Sequence, residues 1–378
     1  MEVFVNKILI FYGSYGGGHL SAARNIKDYI ENNYPNSEVL LIDCIEYINK
    51  MLNKVTTKAY TDFSKNARWI WKQIYYGAES GSLSKISNSI NKVMAIKLNK
   101  IIQDFNPNLI ISTHPFSSQM CAILKEKQKI NCKLATVMTD YAPHSQWLVA
   151  HEFVDFYFVA HDGMREDLIS RGVDKTKVYT TGIPLSNRFL LHYDKAKILE
   201  SYNLNPNKKT ILFFAGGEFG FGKDKTFNML RSIIDNFPNL QIIAIAGRNE
   251  KMKERFDELV QETNSSNSVK ILSYTNQVPE LMSVSDLVIT KPGGLTTTES
   301  LASGLPLILI DPLPGQEEEN AKFIEDNEAG LWIKKDDNIE KVLFDIFNDP
   351  YKLHHLKIKA RLISKRNSTK DICEILLG

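Results

Sequence analysis

FYGSYGGGHLSAA, residues 11–23, is the stretch from which the rest of the chain can be read. It follows the apolar run Ile8-Leu9-Ile10 and passes through Gly13, Gly16, Gly17 and Gly18 to His19. Glycine lets a backbone turn sharply and lets a ligand come close. Leu20, Ala23, Ile26 and Ile30 then recur on one face of a helix. A strand, a glycine turn and a helix start form a site for negative charge, because the first N–H groups of the helix are unpaired and its dipole points positive end outward. The turn is not a Walker loop, since no Gly-Lys-Ser/Thr follows. It is not GxGxxG either, and the acid expected about 20 residues on is missing; the nearest at a strand end is Asp43. His19 is suited to general-base work near neutral pH; a helix-capping or structural imidazole is the alternative.

Outward from this turn the same alternation repeats. Short apolar runs at Ile8–Tyr12, Glu38–Ile42, Leu109–Ser112, Leu134–Met138 and Phe156–Val159 predict strands. A second series opens at Thr210–Ala215 with another glycine turn, Gly216-Gly217 to Gly222, and a helix over about 224–236. Strands are then expected at Leu240–Ala246, Val269–Leu272, Leu287–Thr290, Leu307–Ile310 and Leu331–Ile333. Strands alternating with helices give an α/β fold of parallel sheets. The expectation is two Rossmann-like domains facing a central cleft: 1–185, a linker at 186–207, 208–355, and a helical segment 356–378 packing back toward the first domain.

Bulk properties narrow the class. The chain has 378 residues, 43% hydrophobic and 24% charged, an ordinary globular composition. Its four cysteines (Cys44, Cys121, Cys132, Cys373) form no CxxC pair, which speaks against a zinc ribbon or a disulfide framework and for a reducing cytosol. The first residues do not read as a signal peptide, and no window offers about 20 apolar residues for a membrane span. A cytoplasmic protein is expected. Residues 50–100 carry ten Lys or Arg against two acids, Asp62 and Glu79, in a chain of net charge +2. They also carry Trp69, Trp71, Tyr75 and Tyr76 beside Lys65, Arg68 and Lys72. Basic residues among aromatics suit an anionic surface, lipid or nucleic acid; a solvated helix pair with aromatic core residues fits equally. No nucleic-acid motif accompanies the segment.

A second constellation is TKPGGLTTTESLASGLPLILIDPLPGQEEENA, residues 290–321. A strand ends in Lys291-Pro292-Gly293-Gly294, and a helix begins around Thr296–Thr298 with Glu299 in its first turns. Hydroxyls and backbone N–H groups there suit a diphosphate, and an acid one turn in suits the two hydroxyls of a ribose. Gln316, Glu317 and Asn320 stand at the next helix start with side chains able to bond sugar hydroxyls. Glu318 and Glu319 read as a solvated helix N-terminus.

These stretches, with TDYAPHSQW (139–147), TTGIPLSNRF (180–189) and AGG (215–217), together resemble the monogalactosyldiacylglycerol synthase and processive diacylglycerol glucosyltransferase family over roughly residues 5–375. The resemblance implies a GT-B architecture and an inverting transfer of a hexose from a UDP-hexose donor to a diacylglycerol acceptor, with no metal and no other cofactor. It implies that Gly216 and Gly217 line the phosphate side, that Gly18, Lys291, Gly293, Gly294 and Thr296 lie near the diphosphate, and that Glu299 takes the ribose. Tyr274 to Val278 would frame the uracil, and Gln316, Glu317 and Asn320 would face the sugar. His19 would activate the acceptor hydroxyl, with Asp140 as the other candidate base or an orienter. His144 and Trp147 would lie on the acceptor side. The 50–100 segment, through Trp69, Trp71 and Lys72, would rest on an anionic membrane surface, placing the protein peripherally on the inner face of the cell membrane. Arg188 lies further from GIP than the family's basic residue, so its reach to the diphosphate is an open alternative to a solvated arginine. A UDP-GlcNAc-type transferase acting on another lipid-linked acceptor, and a catalytically silent nucleotide-sugar sensor, are the competing functions. The sequence does not indicate an oligomeric state.

Overall fold

The computed structural model describes residues 6–14, 17–52, 95, 97–215, 223–335 and 337–378. Most of the basic-aromatic segment, with Trp69, Trp71 and Lys72, lies outside them, as do Gly16, Gly216 and Gly217. The chain divides into two compact units: 1–185 with 313–319 and 367–378, and 186–312 with 320–366.

The first unit is built on a six-stranded parallel sheet in the order β2-β1-β3-β4-β5-β6. Its strands are β1 (Asn6–Tyr12), β2 (Ser37–Asp43), β3 (Leu109–Ser112), β4 (Lys133–Val137), β5 (Phe156–Val159) and β6 (Val178–Thr180). Ile8, Leu9, Ile10 and Phe11 are all fully buried. A parallel sheet covered on both faces gives that continuous apolar run in place of an alternating one. The helices are α1 (Gly17–Asn33), α2 (Cys44–Leu52), α3 (Pro115–Glu126) and α4 (Asp162–Ser170). On α1 the buried side chains are Ala22, Ala23, Ile26 and Ile30, the stripe expected of a helix lying on a sheet. Asp43, the acid at the end of β2, accepts from the N–H groups of Ile45 and Glu46 at 2.9 and 3.1 Å, and so starts α2.

The second unit begins with α5 (Lys195–Ser201), so residues 186–207 are not the free linker that their Pro, Asn and charged residues suggest. Asp194 caps α5 through the N–H of Lys197, and Leu199 is buried. The strands are β7 (Thr210–Phe214), β8 (Gln241–Gly247), β9 (Val269–Ser273), β10 (Leu287–Thr290), β11 (Leu307–Ile310) and β12 (Gly330–Ile333), in the order β12-β11-β10-β7-β8-β9 and again parallel throughout. The helices are α6 (Lys223–Asn236), α7 (Glu250–Glu262), α8 (Val278–Val284), α9 (Gly294–Ala302), α10 (Gln316–Asp326, its first turn counted with the first unit), α11 (Ile339–Phe347) and α12 (Pro350–Ile363). Of the predicted segment 356–378, α13 (Ser368–Leu377) belongs to the first unit, while the first part completes α12 in the second unit, so the segment is divided. In α13, Ile372 and Cys373 are fully buried in the same apolar cluster as Ile26 and Ile30, and the hydroxyl of Thr369 bonds both the N–H and the carbonyl of Leu185 at 2.7 Å.

Each sheet changes winding direction once. β1 pairs with both β2 and β3, and β7 with both β8 and β10. Ligands of open α/β sheets gather beyond the carboxyl ends of the strands at such points. In the first unit that is where the GSYGGGH turn and the loops after β3 and β4 fall; in the second it is where KPGG falls.

Candidate functional site

In the first unit three strand ends converge on one imidazole. Gly13 follows β1 and lies under the ring of His114; a Cβ there would stand 2.7 Å from His114 Cδ2. Glycine is therefore required at this position for room, whatever its backbone angles. Gly13→Ala is expected to cost about 1–3 kcal/mol of stability through overpacking, readable as a lower urea midpoint. The half-buried His19 sits in the first turn of α1, beside the half-buried Gly18. Its Nδ1–H donates to the Thr113 carbonyl at 2.6 Å, with Thr139 Oγ1 at 3.0 Å; the Thr113 hydroxyl donates to the His19 carbonyl at 2.9 Å. This fixes the tautomer. The lone pair is on Nε2, which has no hydrogen-bond partner among the described residues. Burial lowers the pKa of His19, and the nearby charge of Asp140 and the Thr113 bond offset part of that.

Two further histidines surround it and stay neutral. The ring of His114 meets that of His19 edge-on at 4.6 Å. Its Nδ1 accepts from the Phe116 N–H at 3.2 Å and so caps α3, and burial with His19 and His144 nearby holds its pKa well below the usual value. His144 is buried, and burial pushes it down to about 3. It lies 5.8 Å from the ring of Trp147. Trp147, expected on the acceptor side, is among the largest fully buried side chains of the described residues and so packs in the interior, not on an open surface. Asp140 is half-buried. Residues 313–319 belong to this unit by their contacts, and in them Gln316 Nε2 donates to Asp140 Oδ2 at 3.1 Å.

In the second unit β10 runs into Lys291-Pro292-Gly293, and α9 starts at Gly294 with no side chain capping it. Its first amides are the orphan donors of any helix start. The turn is held from below: Asn320, fully buried, donates its amide to the Pro292 carbonyl at 2.9 Å. That bond ties Asn320 to the turn, where the sequence suggested a side chain turned to a sugar. In residues 313–319, which count with the first unit, Glu317 accepts from the Leu313 N–H at 2.6 Å and Glu318 from the Gly315 N–H at 3.1 Å, shaping the Pro312–Gly315 loop. Thr296 is half-buried, while the hydroxyl of Thr298 turns back onto the Gly294 carbonyl at 2.8 Å. Glu299 stands in the second turn of α9. Its carboxyl has no partner among the described residues, and burial alone pushes its pKa up to about 8.

Tyr274 is exposed, with the Arg248 guanidinium 4.9 Å from its ring centre, and Val278 is half-buried at the start of α8. The turn between them is braced by Arg188 and by Tyr202, which the sequence did not single out. Arg188 donates to the Asn276 carbonyl at 2.8 Å and to Glu280 at 3.0 Å, and the Tyr202 hydroxyl donates to Gln277 Oε1 at 2.7 Å. Arg188 is therefore a brace of this turn and is engaged, not loose in solvent. Arg188→Ala is expected to cost about 0.5–1 kcal/mol of stability, the scale of a partly exposed charged hydrogen bond, readable as a lower urea midpoint.

Among the described residues, no three His, Cys, Asp or Glu stand close enough together to hold a metal ion. No described helix is long and apolar enough to cross a membrane.

Residues 19–185 match the family model described as monogalactosyldiacylglycerol (MGDG) synthase, and residues 221–374 match the glycosyltransferase family 28 C-terminal domain. The chain is similar to the processive diacylglycerol beta-glucosyltransferase of Staphylococcus haemolyticus (strain JCSC1435), 32% identical over 375 residues, covering 98% of this chain and 92% of that protein. It is 30% identical to the protein of that name from Bacillus subtilis (strain 168), with 98% and 94% covered. Among solved structures, S. aureus MnaA in a co-structure with UDP superposes with a TM-score of 0.66 at 13% identity, covering 98% of this chain and 96% of that one. At that identity the likeness concerns the fold alone.

Proposed function

The chain belongs to the family of monogalactosyldiacylglycerol synthases and processive diacylglycerol beta-glucosyltransferases, and on that premise we propose that it transfers a hexose from a UDP-sugar to diacylglycerol, with inversion, to make a membrane glycolipid. The observation that carries the chemistry is the imidazole of His19, whose Nδ1 is fixed 2.6 Å from the Thr113 carbonyl. That bond leaves Nε2 as a base, and burial keeps the ring neutral at pH 7.

In this reading the acceptor hydroxyl gives its proton to Nε2 as its oxygen attacks the anomeric carbon. The bond from that carbon to the diphosphate breaks, and UDP leaves with the electron pair. Asp140, whose charge already favours a protonated His19, stabilises the imidazolium that forms. The uncapped start of α9 meets the charge growing on UDP, and Glu299 accepts from the ribose hydroxyls. No metal takes part. The enzyme works on the inner face of the cell membrane, a reading supported by the lipid acceptor and by the basic character of residues 50–100. The activity named for the relatives makes glucose the first donor to test.

The test is turnover of the full chain with radiolabelled UDP-sugars and diacylglycerol liposomes, with products read by mass spectrometry. Label is expected in a glycosyl-diacylglycerol at a rate unchanged by EDTA. Transfer only to another lipid-linked acceptor, or UDP binding with transfer to no lipid, overturns the reading. Loss of turnover in EDTA, restored by a divalent cation, overturns the metal-free step.

A further inference from the structure

Helix α12 is apolar on two sides. Leu353, Leu356 and Ala360 are buried on one of them. Tyr351, Ile358 and Leu362 lie on the other and are 83%, 42% and 72% exposed. Spacings of seven and four residues keep these three on one stripe, about 16 Å long at 1.5 Å per residue. Single exposed apolar residues are ordinary, but three of the seven large exposed ones in the described chain fall on this one helix. Phe344, a fourth, is exposed on α11, which packs against α12.

Charge supplies the second observation. Residues 350–366 contain six Lys or Arg and no acid, in a chain of net charge +2. Three of the six face acids elsewhere: Lys357 is 2.8 Å from Asp286, Lys359 pairs with Glu328, and Lys352 stands 3.9 Å from Asp345. Arg361, Lys365 and Arg366 are exposed and have no ion-pair partner among the described residues.

We propose that α12 is an interfacial helix, which lays the Tyr351–Ile358–Leu362 stripe into an anionic lipid bilayer while Arg361, Lys365 and Arg366 meet lipid phosphates. An apolar stripe edged by unpaired cations is the pattern that binds such a surface. Long basic side chains lie along the apolar boundary and keep their charge at headgroup level. A second copy of the chain is the poorer occupant, because an isologous contact through this face would set Arg361, Lys365 and Arg366 against their own like charges. The proposal stands on exposure and charge and does not rest on the transfer reaction. It concerns a surface separate from residues 50–100.

The test is flotation of the full chain with vesicles of phosphatidylglycerol and phosphatidylcholine, compared with phosphatidylcholine alone. Binding is expected to the anionic vesicles and to weaken with salt. The Tyr351→Ser/Ile358→Ser/Leu362→Ser variant and the Lys365→Glu/Arg366→Glu variant should each lose at least tenfold in affinity, with unchanged melting temperatures and unchanged turnover on detergent-dispersed diacylglycerol. Wild-type flotation of both variants overturns the proposal. So does light scattering that finds a wild-type dimer converted to monomer by the triple serine variant, since the stripe then covers a second copy. Absent turnover in detergent would count against the transfer reaction and leave the vesicle result standing.

Discussion

Replacing His19 with alanine is expected to lower turnover on diacylglycerol liposomes by about 100- to 10,000-fold, the range for loss of a general base, while UDP affinity by calorimetry stays as in the wild type. The separation follows from the geometry. His19 is bonded to Thr113 and Thr139 in the first unit, whereas the ribose and diphosphate candidates stand on α9. The pH profile carries a further signature. Burial lowers the pKa of His19 from its ordinary value of 6.5. A base is lost when it is protonated, so kcat/KM should stay level through neutral pH and fall only on the acid side of 6.5. A wild-type rate in the alanine variant would remove His19 from the chemistry, and a fall that begins above pH 7 would contradict its burial.

Glu299 should make UDP binding depend on pH around neutrality, where an ordinary carboxylate, already ionised, would leave it flat. Burial raises its pKa to about 8, so the free protein holds it protonated at pH 7. Ribose hydroxyls donate to the ionised form and pull the pKa down. Binding therefore releases a proton, and UDP affinity should rise as pH increases toward 8, by at most about tenfold per unit, and level off above it. Glu299→Gln should flatten the profile. Glu299→Ala should weaken binding about 10- to 100-fold, since a hydrogen bond to a charged group contributes about 1.5–3 kcal/mol. Calorimetry in buffers of different ionisation heats reads the proton directly. Unchanged affinity in the alanine variant would remove Glu299 from the nucleotide site.

The parallel sheets were legible because buried parallel strands announce themselves as short continuous apolar runs between turn residues, as at Leu109–Ser112 and Leu307–Ile310. β6 escaped because Val178–Thr180 is three residues long at a sheet edge, with only Val178 buried. Helix α5 escaped because it buries only Leu199 among charged neighbours. At the site, residue types were legible and their partners were not. His19 could be picked out only as a candidate base, and its tautomer is set by the carbonyl of a residue 94 positions away; a carbonyl leaves no mark in a sequence. Asn320 and Glu317 read as sugar-facing because they stand at a helix start with side chains able to bond sugar hydroxyls, within the stretch that carries the family resemblance. Here the Pro292 carbonyl and the Leu313 N–H of two tight turns needed partners, and these side chains supply them. Arg188 was visible only as a basic residue in the wrong place; its match to Glu280 spans 92 positions.

The return of α13 to the first unit bears on how the protein is made. Synthesis runs from the N-terminus, and domains generally fold as units in that order. Here the first sheet and α1 can assemble early, but the apolar cluster that holds Ile26 and Ile30 stays open on one side until Ile372 and Cys373 arrive, and these follow the entire second unit in the chain. During translation that open side is therefore a standing invitation to chaperones. Residues 1–185 expressed alone would leave that side of the cluster uncovered, and the excised fragment would lack the clasp of Thr369 on Leu185 at its own C-terminus.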